Sequence, residues 1–427
     1  MSKKYEFVII GSGAGGATLA RELSKTHSDI LVIEKGDYED KFGTFADALR
    51  YYDGNRVTRV PLKSSEGVIL YRTMMAGGSA FVSAGNFCRC LEKEFSELGI
   101  DLQEEFIEAE NEIRIAPLAD ELISDSSKTL AKAAKDLGYN MQNMMKSIDA
   151  SKCIKCGLCT FGCKMGAKWT PLEYLREATE NGVEVLYNAS VEKVTSENGK
   201  VTGVLLHRGH EHLSILANTV ILAAGGIGTP VILQASGIDE AGTNLFIDTF
   251  VNIYGEHDTM SMAHEPQMAM VIIEEHEKKG FLLSTFFNHS KSFRMIESGA
   301  KGFALPNNKI LGFMNKTSDE ASGHVHADGT ISKKVTAPDQ QKLDAGADLA
   351  KEILIKVGVD PKSIIVSRPA GAHPGGTAAV GRVVDNNLET RIKNLFVCDA
   401  SVFPTTPGLP PILTIIALAK RLSKKLA

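Results

Sequence analysis

Four cysteines crowd together as Cys153-x-x-Cys156-x-x-Cys159-x-x-x-Cys163. Spacers this short let successive thiolates wrap one inorganic cubane, and the run has the spacing of a [4Fe–4S] cluster loop. Lys152, Lys155 and Lys164 flank it and would offset cluster charge. In two-cluster proteins the fourth cysteine of such a run serves the other cluster. No second run exists here, so the fourth ligand is either Cys163 or a distant thiolate, Cys88 or Cys90. Zinc is the alternative metal, although zinc sites more often show two separated cysteine pairs. Free structural cysteines are the third reading, and Cys398, inside an apolar run, reads as core.

The second chemical signal is Gly11-Ser12-Gly13-Ala14-Gly15-Gly16, a G-x-G-x-x-G turn. It follows the β-rich Tyr5–Ile10 segment and precedes a helical pattern that runs to Leu23. In this context Gly11 makes the turn, Gly13 lets a pyrophosphate approach the backbone, and Gly16 lets helix pack on strand. The free N–H groups at the start of the helix, around Ala14 and Gly15, face the anion. A second strand, Ile30–Ile33, ends at Glu34, an acid placed for ribose hydroxyls. The motif predicts a dinucleotide fold and by itself does not separate FAD from NAD. Glu34 argues against NADP, whose 2′-phosphate it would repel.

These signals need a scaffold. The chain has 427 residues, enough for two or three domains. Hydrophobic residues make up 43% and charged residues 23%, the composition of a soluble globular protein. The net charge of −5 gives no general affinity for nucleic acid or anionic membrane. No apolar run reaches the ~18 residues of a membrane helix, and the start does not read as a signal peptide. The expected location is therefore the cytoplasm, where cysteines stay reduced. Residues 100–140 carry helical periodicity, and residues 240–320 alternate as in an antiparallel sheet. A strand at Thr219–Ala223 leads into a turn at 224–230 and a helix at 231–236. Further helices are expected over 338–357 and 413–426. His324 and His326 read as surface histidines, and Met260, Met262, Met268 and Met270 as core filling or an apolar pocket wall.

Several blocks in order, AGGSAFVSAGN (76–86), AAGGIGTPVILQASG (223–237), HPGGT (373–377) and LFVCDASVFPTTPG (395–408), resemble the glucose–methanol–choline oxidoreductase family. The tail PGLPPILTIIALAKR (407–421) is most similar to its cholesterol-oxidase and long-chain-alcohol-oxidase branch. The resemblance implies FAD and an α/β fold. A discontinuous Rossmann-like FAD-binding domain would be joined by an α+β substrate domain containing an antiparallel sheet. It implies FAD-binding parts at 1–95, 171–240 and 371–427, a helical segment at 96–145, the cysteine loop at 146–170 and a substrate domain at 241–370. By position, Gly77, Gly78 and Ser79 would line the pyrophosphate and flavin ring, and Val191 the adenine side. Ala224, Gly225 and Asp399, with Pro411 and Ile412 at the head of the last helix, would complete the cofactor wall. His373 would face the flavin as general base toward a substrate hydroxyl, a role suited to a group titrating near neutrality. The family's usual second polar group matches Pro410 here, which has no side-chain hydrogen bond to offer.

The resulting expectation is a flavin- and [4Fe–4S]-dependent dehydrogenase of an apolar alcohol-type substrate. Flavin would take hydride, and the cluster would pass electrons singly to an external carrier such as ferredoxin. Two alternatives stay open. One is a reductase of a C=C or C=O bond running in the opposite direction. The other is an electron-transfer flavoprotein with no small-molecule substrate of its own.

Overall fold

A computed structural model describes residues 3–55 and 60–427. Two sheets organise it. The first builds on Lys4–Ile10, whose last four residues are buried between helices. This strand pairs in parallel with Ile30–Ile33 on one side and with the second half of Glu211–Leu222 on the other. Glu184–Leu186 and Leu395–Val397 extend the parallel layer. Ser190–Glu197 and Lys200–Arg208 fold back as an antiparallel meander on the first half of Glu211–Leu222. Helices Ala14–Leu23, Pro171–Glu180 and Ile412–Leu426 pack together on this sheet. Segments from across the chain thus close one dinucleotide-binding unit, as expected of a parallel sheet fed by crossover helices.

The helix after Leu222 begins earlier than expected. It spans Gly225–Ala235 with Pro230 inside it. Proline removes the N–H that would bond the Gly226 carbonyl. The Thr377 hydroxyl donates to that carbonyl instead, at 2.8 Å. A contact from 150 residues away therefore stabilises a helix start that local sequence reads as a turn.

The second sheet is mostly antiparallel, with Phe250–Glu256, Ile310–Thr317 and Phe281–Thr285 at its centre. Alternation gives this sheet two faces. Val251, Ile253, Phe313 and Leu283 pack with Leu343, Ala347 and Ala350 of the helix Ala337–Lys356. Phe250, Asn252, Met314 and Lys316 face a cavity instead. Asn252 stands opposite Met314 and Phe250 opposite Lys316. The short strands between Gly54 and Leu70 join this second sheet through Ala370–Gly371. Of the segment MAMVIIEE, only Met270–Ile272 is strand; Glu274–Lys279 is helix. Among the described residues no helix is long and apolar enough to cross a membrane.

Candidate functional site: a cofactor cavity closed by a charged triad

One cavity of about 560 Å³ lies between the two sheets. Its walls include Gly11, Gly13, Ala14 and Gly15 from the first turn and Glu34 from the end of the strand Ile30–Ile33. Gly78, Ser79, Val191, Ala224, Gly225 and Asp399 continue it, and Pro411, Ile412 and His373 close it. No protein atom stands within 4 Å of where a Cβ on Gly13 would be, so the backbone there is open to the cavity. At Gly16 a Cβ would sit 1.9 Å from the Gly11 carbonyl oxygen, which fixes how closely helix packs on turn. Gly16 and Gly77 support the cavity from behind rather than lining it, and the Gly77 N–H donates to the Ser12 hydroxyl at 3.1 Å.

Glu34 is buried and shapes the turn directly. Its Oε2 accepts from the Ser12 N–H at 3.0 Å and hydroxyl at 2.7 Å, and its Oε1 from the Gly36 N–H at 2.8 Å. Asp399 does the same at the other end. It accepts from the Gly225 N–H at 2.8 Å, the Thr229 hydroxyl at 2.6 Å and the Ser401 N–H at 2.8 Å. Burial raises both acids, and these donors oppose the shift. A long cleft with an open glycine, two helix starts and firmly held acids fits a dinucleotide cofactor.

His373 presents a quarter of its side chain to this cavity. Its Nδ1 lies 2.9 Å from the Asp248 Oδ2. An ionised carboxylate only accepts, so Nδ1 carries the proton and Nε2 is left free. Burial, and then the neighbouring Lys316 charge, push the histidine below its usual value, while Asp248 opposes them. The Lys316 ammonium sits 3.4 Å from the His373 Nδ1 and 3.8 Å from the Asp248 Oδ2. Asp248 is braced on all sides. Its Oδ1 accepts from the Thr406 hydroxyl at 2.9 Å and the Gly408 N–H at 3.0 Å, and its own N–H donates to Asp319 at 2.7 Å. Asp319 in turn pairs with the buried Lys333 at 2.6 Å.

The N-terminal GMC oxidoreductase model matches residues 5–250 and the C-terminal one residues 319–419. The chain is a GMC oxidoreductase. An FAD-binding-domain model also matches residues 168–353. An uncharacterised protein of Methanocaldococcus jannaschii is 34% identical over 99% of this chain and 100% of its own length. A long-chain-alcohol oxidase of Arabidopsis thaliana is 23% identical over 99% of this chain and 68% of its own. Among solved structures, pyridoxine 4-oxidase from Mesorbium loti superposes with a TM-score of 0.72 at 15% identity, covering 99% of both chains. An FAD-dependent oxidoreductase from Chaetomium thermophilum gives 0.71 at 16% identity, again over 99% of both. This GMC oxidoreductase is an FAD-dependent enzyme.

The cysteine run of this GMC oxidoreductase lies beside the same cavity. Thr160 and Phe161 line it. The buried Lys168 ammonium donates to the carbonyls of Phe81 at 2.7 Å, Ser83 at 2.6 Å and Cys159 at 3.1 Å, tying the cysteine loop to the 81–84 wall. Lys146, also buried, donates to the Ala84 and Gln267 carbonyls at 2.8 and 2.9 Å. Burial pushes both lysines down to about 8, against the pull of nearby thiols. Cys153 and Cys156 are raised by burial and by the other thiols of the run, Cys163 included. Cys88 and Cys90 stand elsewhere, near Lys316, with the Cys90 sulfur 3.1 Å from the Thr414 hydroxyl. Among the described residues no three His, Cys, Asp or Glu side chains converge as a metal site.

Asp248, Lys316, Asn252 and Glu297 were not legible as site residues. Asp248 is isolated in sequence, and Lys316 lies near the end of the strand Ile310–Thr317 with no motif around it.

Proposed function

We propose that this GMC oxidoreductase oxidises an alcohol-type substrate, with His373 as the base. The observation that carries this reading is the free Nε2 of a neutral histidine facing the cavity while Asp248 holds its other nitrogen. FAD bound here supplies the acceptor for hydride leaving the carbinol carbon. Nε2 takes the hydroxyl proton, and Asp248 stabilises the charged ring that results. Pro410 contributes only shape to the cavity wall. Lys316 replaces the missing polar partner: its ammonium donates toward the substrate oxygen as negative charge builds there. The aromatic walls, Tyr52, Tyr71, Phe250 and Phe293, support a largely apolar substrate body, in keeping with the long-chain-alcohol oxidase among its relatives.

The test is anaerobic reduction of the purified flavoprotein by a panel of primary and secondary alcohols, followed by flavin absorbance. Bleaching by at least one alcohol class is expected. Reduction by none of them, with carbonyl or enone compounds instead reoxidising chemically reduced flavin, would replace this reading by the reductase one.

A second observation favours electrons leaving through the cysteine run. Lys168 binds the Cys159 carbonyl and two carbonyls of the segment leading into the cavity wall. The donor set is four thiolates, suited to iron–sulfur chemistry, although they stand unconverged in this arrangement. Exposed Cys156 and Ile154 lie on the outer side with Lys152 and Lys155. That surface is suited to an acidic one-electron carrier such as ferredoxin. Zinc at the same cysteines would instead make the loop structural.

A further inference from the structure

Asn252 is wholly buried, and neither its amide nitrogen nor its amide oxygen has a hydrogen-bond partner. Its backbone is satisfied, since the N–H donates to the Ser367 hydroxyl at 2.8 Å and the carbonyl accepts from the Ser367 N–H at 2.8 Å. Only the side chain is left open, and it lines the cavity. An orphaned buried amide carries an uncompensated desolvation cost, so proteins rarely retain one without a use. Nearby on the same wall, the Tyr71 hydroxyl is also without a partner. Tyr71 stacks on Phe250 with ring centroids 6.3 Å apart, one strand position pair from Asn252.

Glu297 completes this region. It is buried in the cavity wall, accepting from the Tyr254 hydroxyl at 3.1 Å and the Asn288 amide at 3.4 Å. Burial pushes its acid up to about 7. Asn252 neighbours Glu297 closely enough to favour its charged form, without a hydrogen bond of normal geometry.

We propose that Asn252, Tyr71 and Glu297 form a polar recognition subsite for a substrate carrying, besides its carbinol, a neutral carboxamide-type group. This rests on the alcohol-oxidation reading for the carbinol alone. The open Asn252 amide offers a donor and an acceptor side by side, and another amide edge matches both at once. A hydroxyl can also donate and accept, but it must do both through one oxygen, whereas an amide edge presents its donor and acceptor side by side in matching geometry. A cation is disfavoured because Lys316 already places an ammonium in the same wall and Arg294 is buried near Glu297. A carboxylate only accepts, and would leave the Asn252 amide oxygen unpaired. The apolar walls bury the connecting chain, and the subsite selects what lies at its end.

The experiment uses the FAD-loaded enzyme and two independent readouts. Simple amides from butanamide to octanamide are titrated into oxidised enzyme, and the flavin absorbance perturbation gives Kd without turnover. Anaerobic flavin reduction is then compared for alkanols, ω-hydroxyamides, ω-hydroxyacids and ω-aminoalcohols of the same lengths. At its best length the hydroxyamide should bind at least about tenfold more tightly than the matched alkanol, the scale of one satisfied polar pair. Asn252→Leu should erase that advantage, and Tyr71→Phe, which removes only an unpartnered hydroxyl, should reduce it. The proposal is overturned if alkanol, acid or amine binds as well as the amide, or if both variants keep the amide preference. If no alcohol reduces the flavin but amides still bind in an Asn252-dependent way, the alcohol reading fails while the subsite stands.

Discussion

Three neighbouring groups bear on the protonation of His373. Burial favours the neutral ring, the Lys316 charge lowers it further and Asp248 raises it. The free base is therefore present above a value lower than 6.5. The rate of flavin reduction should fall as pH drops through that value. Lys316 is itself lowered from 10.5 by burial, with Asp248 opposing. If its ammonium donates to substrate oxygen, the rate should fall again as pH rises through a value below 10.5. His373→Ala should slow reduction by about 10²–10⁴-fold with FAD still bound. Lys316→Met should remove the alkaline limb and move the acid limb to higher pH, since the charge that depresses His373 is gone. Stopped-flow reduction across pH measures both limbs. A Lys316→Met profile identical to the wild type would take that lysine out of the chemistry.

At the scale of elements, the cysteine loop and the turn after strand Lys4–Ile10 are each short irregular backbone held by a buried charged side chain. Lys168 binds the Cys159 carbonyl as Glu34 binds Ser12. On the cluster reading proposed above, anaerobically prepared protein should contain about four irons per chain. Cys153→Ser, Cys156→Ser and Cys159→Ser should each lose them. Cys163→Ser is the informative variant: loss of iron makes the four ligands local, and retained iron makes Cys88→Ser and Cys90→Ser the next to test. Iron analysis and the reduced paramagnetic spectrum read this. Variants without iron should still be reduced by substrate but fail to pass electrons to a one-electron carrier. Zinc in protein never exposed to air would end the electron-transfer reading.

At the scale of the whole molecule, the cavity walls come from the first turn, the 78–84 segment, Val191, the 224–228 helix start and the last helix. A cofactor touching all of them links parts far apart in sequence. FAD should therefore raise thermal stability by mass action, by about 2.7 kcal/mol at a hundredfold excess over Kd. Gly13→Asp is the discriminating variant. A Cβ there meets no protein atom, so the chain should fold, yet its carboxylate would face the pyrophosphate. Its melting temperature should equal that of flavin-free wild type and ignore added FAD. A full flavin complement in that variant would displace the pyrophosphate from this turn.

Local sequence determined a good deal of this protein. The glycine turn between strand and helix, the long helices Ala337–Lys356 and Ile412–Leu426 and the buried position of Cys398 were all readable. Each depends on periodicity or on a backbone need that only certain residues meet. The dinucleotide fold was legible for the same reason, and family blocks in order carried the flavin. Tertiary structure decided the rest. The Gly225–Ala235 helix needs the Thr377 hydroxyl to satisfy the carbonyl that Pro230 frees. The strands Gly54–Asn55 to Ile69–Leu70 belong to the second sheet through a pairing with Ala370–Gly371. Asp248, Lys316 and His373 meet across more than a hundred residues, and Asn252 matters because nothing bonds its side chain. Charge pairing and an unsatisfied amide are properties of a neighbourhood, and a neighbourhood exists only once the chain has closed.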